Sequence, residues 1–87
     1  MNTLFSPITL GDYQLRNRIF MAPLTRGRAV DDGIPNALMA KYYAQRASAG
    51  LIIAEATAVA KKGLGWMNAP GLFNDKQQAG WKKIAQA

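Results

Sequence analysis

Apolar and polar positions alternate at residues 8–15 (ITLGDYQL) on both sides of Gly11-Asp12, a pair that suits a two-residue II′ turn with glycine first. That pattern predicts a small opening hairpin. Residues 19–22 (IFMA) form a nearly continuous apolar run stopped by Pro23, which cannot donate to a sheet ladder, so a short buried strand is expected. The polar stretch 26–36 follows, with Asp31-Asp32-Gly33 as a turn and Pro35 suited to the first turn of a helix. Over residues 36–49, Leu38, Met39, Tyr42, Tyr43 and Ala47 recur at spacings of three and four, predicting a helix that Gly50 closes as a left-handed cap. Residues 51–54 (LIIA) then follow with hardly a linker, and their unbroken apolar character suits a strand covered on both faces.

Strand, helix and strand in that order predict a right-handed parallel βαβ unit, whose strand ends would carry Pro23-Leu24-Thr25 and Glu55-Ala56-Thr57. The connection at residues 58–73 contains Gly63, Gly65, Pro70 and Gly71 and is longer than loops in compact α/β units normally run, the mark of a working loop. Asn74 with Gln77 three places on resembles a capping box, and Trp81, Ile84 and Ala85 continue at helical spacing. A second helix is therefore expected, with the chain stopping inside it. Two parallel strands with helices on one side leave strand edges and an apolar face bare, so the expected fold class is α/β, the opening portion of a larger fold.

Composition narrows the chemistry. With 87 residues at most one small domain fits, and a hydrophobic share of 49% against 18% charged places the chain with globular rather than disordered sequences. No cysteine means no disulfide and no thiolate zinc site, and no histidine removes the commonest metal ligand and general base, so no metal site is expected. The net charge of +6 is spread over short groups such as Arg26 with Arg28 and Lys61 with Lys62, without a nucleic-acid-binding signature, and no nucleic-acid partner is expected. No apolar run approaches a membrane span and the N-terminus lacks a basic start before an apolar stretch, which gives the expectation of a cytoplasmic protein without a membrane partner.

Glu55 is the one acidic residue near a strand end, so no paired carboxylates and no nucleophile–base pair can be assembled, and no catalytic residue is expected in this segment. Neither GxGxxG nor a Walker A sequence occurs. What remains is positional: parallel α/β folds bind ligands at the carboxyl ends of strands, here residues 22–25 and 55–57. Glu55 would pair with a basic residue such as Arg46, Met21, Met39 and Met67 would pack, Trp81 would anchor the second helix, and the lysine pairs would be solvated. Thr25 could merely satisfy a strand-end backbone group, and Trp66 could wall a pocket or pack beneath its loop. A basic structural or interaction module without catalysis is the competing function class.

Three motifs in order carry a specific resemblance: FMAPLTRGRA at residues 20–29, YYAQRASAGLIIAEAT at 42–57 and KKGLGWMNAPGLF at 61–73. Together they are similar to the N-terminal part of the Old Yellow Enzyme family, nearest its bacterial N-ethylmaleimide and enoate reductase branch. The resemblance implies that residues 1–87 are the N-terminal segment of one FMN-binding (β/α)8 TIM-barrel domain, incomplete without the rest of the barrel. It further implies hydride transfer from NADPH or NADH to the flavin and on to the β-carbon of an activated alkene, with nitro compounds and nitrate esters as further substrates of some members. On it, residues 8–15 close the bottom of the barrel, and 19–22 and 51–54 are its first two strands. Ala22, Pro23, Leu24 and Thr25 would line the flavin, and Ala56 would bring a backbone group to the isoalloxazine edge. The Thr25 hydroxyl would bond the C4 carbonyl region and also face the substrate pocket. Trp66 stands in that pocket where relatives of this branch often place a tyrosine. The substrate-anchoring histidines or asparagine and the proton-donating tyrosine would lie beyond residue 87.

Overall fold

The computed structural model describes residues 3–30 and 32–87. Strands β1 (Ile8–Leu10) and β2 (Tyr13–Leu15) form the opening hairpin, paired Ile8 to Leu15, Thr9 to Gln14 and Leu10 to Tyr13. Gly11 at φ 58° supplies the positive dihedral that the first position of a II′ turn requires. The cross-strand pair Thr9 and Gln14 adds a 2.6 Å hydrogen bond from hydroxyl to amide oxygen.

Strand β3 (Phe20–Met21) pairs in parallel with β4 (Leu51–Ile52), joining Phe20 to Leu51 and Met21 to Ile52. Both are shorter than the runs 19–22 and 51–54. The ladder nonetheless continues through Gly50 N donating to Ile19 O (2.8 Å) and Ile53 N to Met21 O (3.1 Å). Pro23, with no N–H, prevents it from going further along the first strand.

Helix α1 (Ala37–Ala44) is shorter than the predicted 36–49, and its start and end both correct the sequence reading. Asn36 is the N-cap, its side-chain oxygen accepting from Met39 N at 3.1 Å, so Pro35 precedes the cap instead of occupying the first turn. After Ala44 the chain tightens into three-residue bonds, Arg46 N to Tyr43 O, Ala47 N to Ala44 O and Ala49 N to Arg46 O. Gly50 is not a left-handed cap, since its φ lies outside the positive region. Its glycine is required by a neighbour: a Cβ there would lie 2.1 Å from the backbone oxygen of Asn17. Asn17 clamps this corner, donating through Nδ2 to Ser48 O (2.8 Å) and accepting through Oδ1 from Ile19 N (2.9 Å).

Helix α2 (Asp75–Gln86) begins as its sequence predicts, with Asn74 Oδ1 accepting from Gln77 N at 2.8 Å and Asp75 complementing the positive helix start. The Gln77 side chain departs from the reciprocal capping box, reaching past Asn74 to accept from Phe73 N at 2.7 Å. The core lies between the two helices and the loops above the sheet, where Ala29, Met39, Tyr43 and Ala69 are buried. Trp81 is half-buried against Tyr43, with ring centroids 6.4 Å apart, and donates its indole N–H to Gly71 O at 3.0 Å. Met39 packs as expected, whereas Met67 is 87% exposed and contributes nothing to this core. Its position on an outward loop explains the difference. Asp31 of the expected turn lies outside the described residues; the bond from Gly33 N to Val30 O (2.8 Å) closes the chain there. Among the described residues no helix is long and apolar enough to cross a membrane.

Candidate functional site

The carboxyl ends of β3 and β4 lie side by side because the strands are parallel and in register. Beyond β3, residues 22–25 leave the ladder as an exposed segment outside any regular element, with no backbone hydrogen bond to the other described residues. Pro23 causes part of this, and the neighbouring Ala22, Leu24 and Thr25 keep free backbone groups for other use. Beyond β4, Ala56 is likewise exposed and its backbone has no partner among the described residues, while Thr57 turns its hydroxyl back onto Glu55 O at 2.8 Å.

Between these segments Glu55 is only 3% exposed. Its Oε2 accepts the Tyr43 hydroxyl proton at 2.6 Å, and its own N–H donates to the Tyr43 oxygen at 3.1 Å. Oε1 faces Arg26 N at 3.5 Å, the residue directly after Thr25. Burial, reinforced by the hydrogen bond to Glu55, pushes the Tyr43 phenol up from 10.0 to about 12. Tyr43 on α1 thus holds Glu55, and it is the Glu55 carboxylate that reaches the segment after β3, at Arg26 N. The expected partner Arg46 is elsewhere: its guanidinium lies 3.9 Å over the Tyr42 ring and donates to Tyr42 O at 2.9 Å. Arg46 follows the end of α1 on its exposed side, whereas Tyr43 occupies the buried side that faces Glu55. The signal for the true partner was the phenol at a core position, which must find a hydrogen bond when buried.

Residues 58–73 are held by their own backbone. Ala58 N donates to Pro70 O (3.1 Å) and Leu72 N to Ala58 O (2.8 Å), closing the loop at its neck, while Lys61–Gly63 make one 3₁₀ turn. Ala29 N donates to Asn68 O at 3.0 Å, so this loop lies against the one after β3. Trp66 is carried on its outer part at 72% exposure, which removes the reading that it packs beneath the loop among these residues. Thr25 and Trp66 are brought to the same end of the sheet, each within two residues of Gly27 or Met67, where a Cβ added to Gly27 would meet Met67 O at 3.4 Å. Lys61, Lys62, Lys82 and Lys83 are all exposed. Among the described residues no three His, Cys, Asp or Glu side chains gather to hold a metal ion.

Known proteins share the fold. Residues 3–87 match the model of the NADH:flavin oxidoreductase / NADH oxidase family. A chanoclavine-I aldehyde reductase of Penicillium roqueforti is 48% identical over 89 residues, which cover 100% of this chain and 24% of the reductase. Among solved structures, an old yellow enzyme homologue from Zymomonas mobilis superposes with a TM-score of 0.93 at 57% identity, over 97% of this chain and 24% of its own. Morphinone reductase in complex with tetrahydroNAD gives a TM-score of 0.90 at 49% identity, over 95% of this chain and 23% of its own. The chain spans about a quarter of the length of these relatives. With the hairpin, the parallel pair and both helices matched in that way, the chain belongs to the NADH:flavin oxidoreductase / NADH oxidase family, that of the Old Yellow Enzymes, and forms the N-terminal part of its (β/α)8 barrel.

Proposed function

We propose that the complete protein is an FMN-dependent ene-reductase, in which residues 1–87 are the N-terminal segment of one flavin-binding barrel domain. The observation that carries this reading is the exposed backbone of residues 22–25 and of Ala56, without partners among the described residues, at two adjacent parallel strand ends. A planar ring with a polar edge fits such a surface: small Ala22 and Ala56 allow close approach, Pro23 and Leu24 offer apolar contact, and Thr25 adds a hydroxyl. Ala22, Pro23, Leu24, Thr25 and Ala56 would hold the flavin, and Thr25 would donate to its C4 carbonyl region. When bound, FMN supplies hydride transfer from NADPH or NADH to the β-carbon of an activated alkene. Family membership and the tetrahydroNAD complex of morphinone reductase support the nicotinamide donor. Trp66 would wall the substrate pocket, narrowing it relative to a tyrosine and removing a hydroxyl. The remaining strands would complete the site, nitro compounds and nitrate esters fall within the same hydride chemistry, and the protein would work in the cytoplasm.

The test uses the full-length protein reconstituted with FMN. Anaerobic NADPH or NADH is expected to bleach the flavin absorption band, and N-ethylmaleimide or cyclohexenone to restore it. A flavin band that neither nucleotide bleaches would overturn the proposal. Within that enzyme, Thr25→Ala is expected to lower the flavin reduction potential and slow reduction by NADPH while FMN still binds. The change removes one hydrogen bond of roughly 0.5–1.5 kcal/mol, lost preferentially from the electron-rich reduced state. Spectroelectrochemistry and stopped-flow reduction check it; an unchanged potential with unchanged rates would place Thr25 away from the ring.

A further inference from the structure

We propose that Gln77 is a positioning residue that holds the Trp66 loop over the carboxyl ends of β3 and β4, so that substrate choice is set from the first turn of α2. The proposal rests on the reading of Trp66 as a pocket wall. Gln77 is 0% exposed, an unusual place for an amide, and both ends of that amide are used. Its Nε2 donates to Asp32 O at 2.8 Å and its Oε1 accepts from Phe73 N at 2.7 Å. Asp32 belongs to the connection after β3 and Phe73 to the end of the connection after β4, so one side chain links the two segments that flank the strand ends.

Only an amide of this length has the required chemistry: glutamate lacks the donor, methionine has no donor and only a weak thioether acceptor, and asparagine is one methylene short. The surroundings are shaped around it. A Cβ on Gly71 would lie 2.8 Å from Gln77 Nε2 and 2.6 Å from the Phe73 ring, so the loop approaches this closely because residue 71 has no side chain. Next to the amide, Gly71 N donates to Gly33 O (2.9 Å), and further out Ala29 N donates to Asn68 O (3.0 Å). Trp66 lies just beyond the outer bond and is tied to it through Ala69 N donating to Trp66 O (3.2 Å). With its side chain largely exposed, Trp66 is placed by its backbone, and that backbone is fixed by the bonds Gln77 anchors.

Amide hydrogen exchange on the full-length holoenzyme needs no substitution. The N–H groups of Ala29, Gly71 and Phe73 are expected to open as one unit, with protection agreeing within about threefold. Gln77→Met is then expected to lower all three together and to shift the kcat/KM ratio between bulky and small enones by about tenfold. Combined with Trp66→Tyr, its effect on that ratio should be non-additive, a coupling that a merely structural residue would not produce. Independent exchange of the three amides in the parent overturns the proposal even where Gln77→Met fails to fold. A Gln77→Met protein with a lower Tm and an unchanged enone ratio overturns it too. An enone ratio untouched by Trp66→Tyr alone would instead sink the pocket-wall reading beneath the proposal, and the two failures are told apart by which variant is silent.

Discussion

Tyr43→Phe in the full-length protein is expected to lose about 2–4 kcal/mol of stability, because it strips partners from two buried groups at once. The Tyr43 hydroxyl is both the donor to Glu55 Oε2 at 2.6 Å and the acceptor for Glu55 N–H at 3.1 Å. Glu55, at 3% exposure, has little access to water that could replace it. Against a total stability of roughly 5–15 kcal/mol, this single oxygen accounts for a large share. Chemical denaturation of parent and variant measures it, and a difference below about 0.5 kcal/mol would show that the buried pair is solvated in the full protein.

The same hydroxyl has a pH signature. Its folded pKa is raised to about 12 from 10.0, so the neutral phenol is favoured by the fold. Below about pH 10 both folded and unfolded states hold the proton and the contribution is fully present. From pH 10 towards 12 the unfolded chain loses its proton while the folded chain keeps it, and the contribution falls as pH rises through that window. The stability gap between parent and Tyr43→Phe should therefore narrow across this interval, with the phenylalanine variant subtracting the titration of every other group.

What could be read from the sequence was what depends on neighbours in the chain. The hairpin followed from an alternating pattern around Gly11-Asp12, and the cap of α2 from Asn74 three places before Gln77. The parallel pairing of β3 with β4 followed from two apolar runs separated by one helical pattern. Gly50 shows where such reading stops: its place after a helix pointed to a left-handed cap, but the reason for the glycine is Asn17, which meets it across the fold. Gln77 fits half of a capping box by its spacing from Asn74, and its second bond goes to Asp32, 45 residues earlier. Glu55 needed a partner, and charge pointed to Arg46 where burial selects Tyr43. Of the site, its position at the strand ends was legible from the order of elements, whereas the atoms that tie those ends together were not.

The 87-residue polypeptide expressed alone is expected to show no cooperative thermal transition and a poorly dispersed amide NMR spectrum, or else to associate with itself. Its parallel sheet has two strands, and each leaves one edge without a partner among the described residues. Around that sheet Ile19 is 41% exposed, Phe20 43%, Ile53 46% and Leu24 50%, an apolar surface that the helices do not cover. A closed (β/α)8 barrel fills that surface with side chains from its other strands, so the contacts that would order β3 and β4 come from residues far along the chain. Local features such as the Asn36 and Asn74 caps should persist as fluctuating helix, because they need no distant partner. The net charge of +6 keeps such a polypeptide in solution without adding a core. A sharp two-state melt of a monomer would overturn the expectation, and it would mean that the core around Met39, Tyr43 and Gln77 suffices to fix the strands. Adding the remaining barrel residues as a second polypeptide separates the cases further: a fragment short only of its sheet partners should gain amide dispersion on mixing, whereas one already folded should not change.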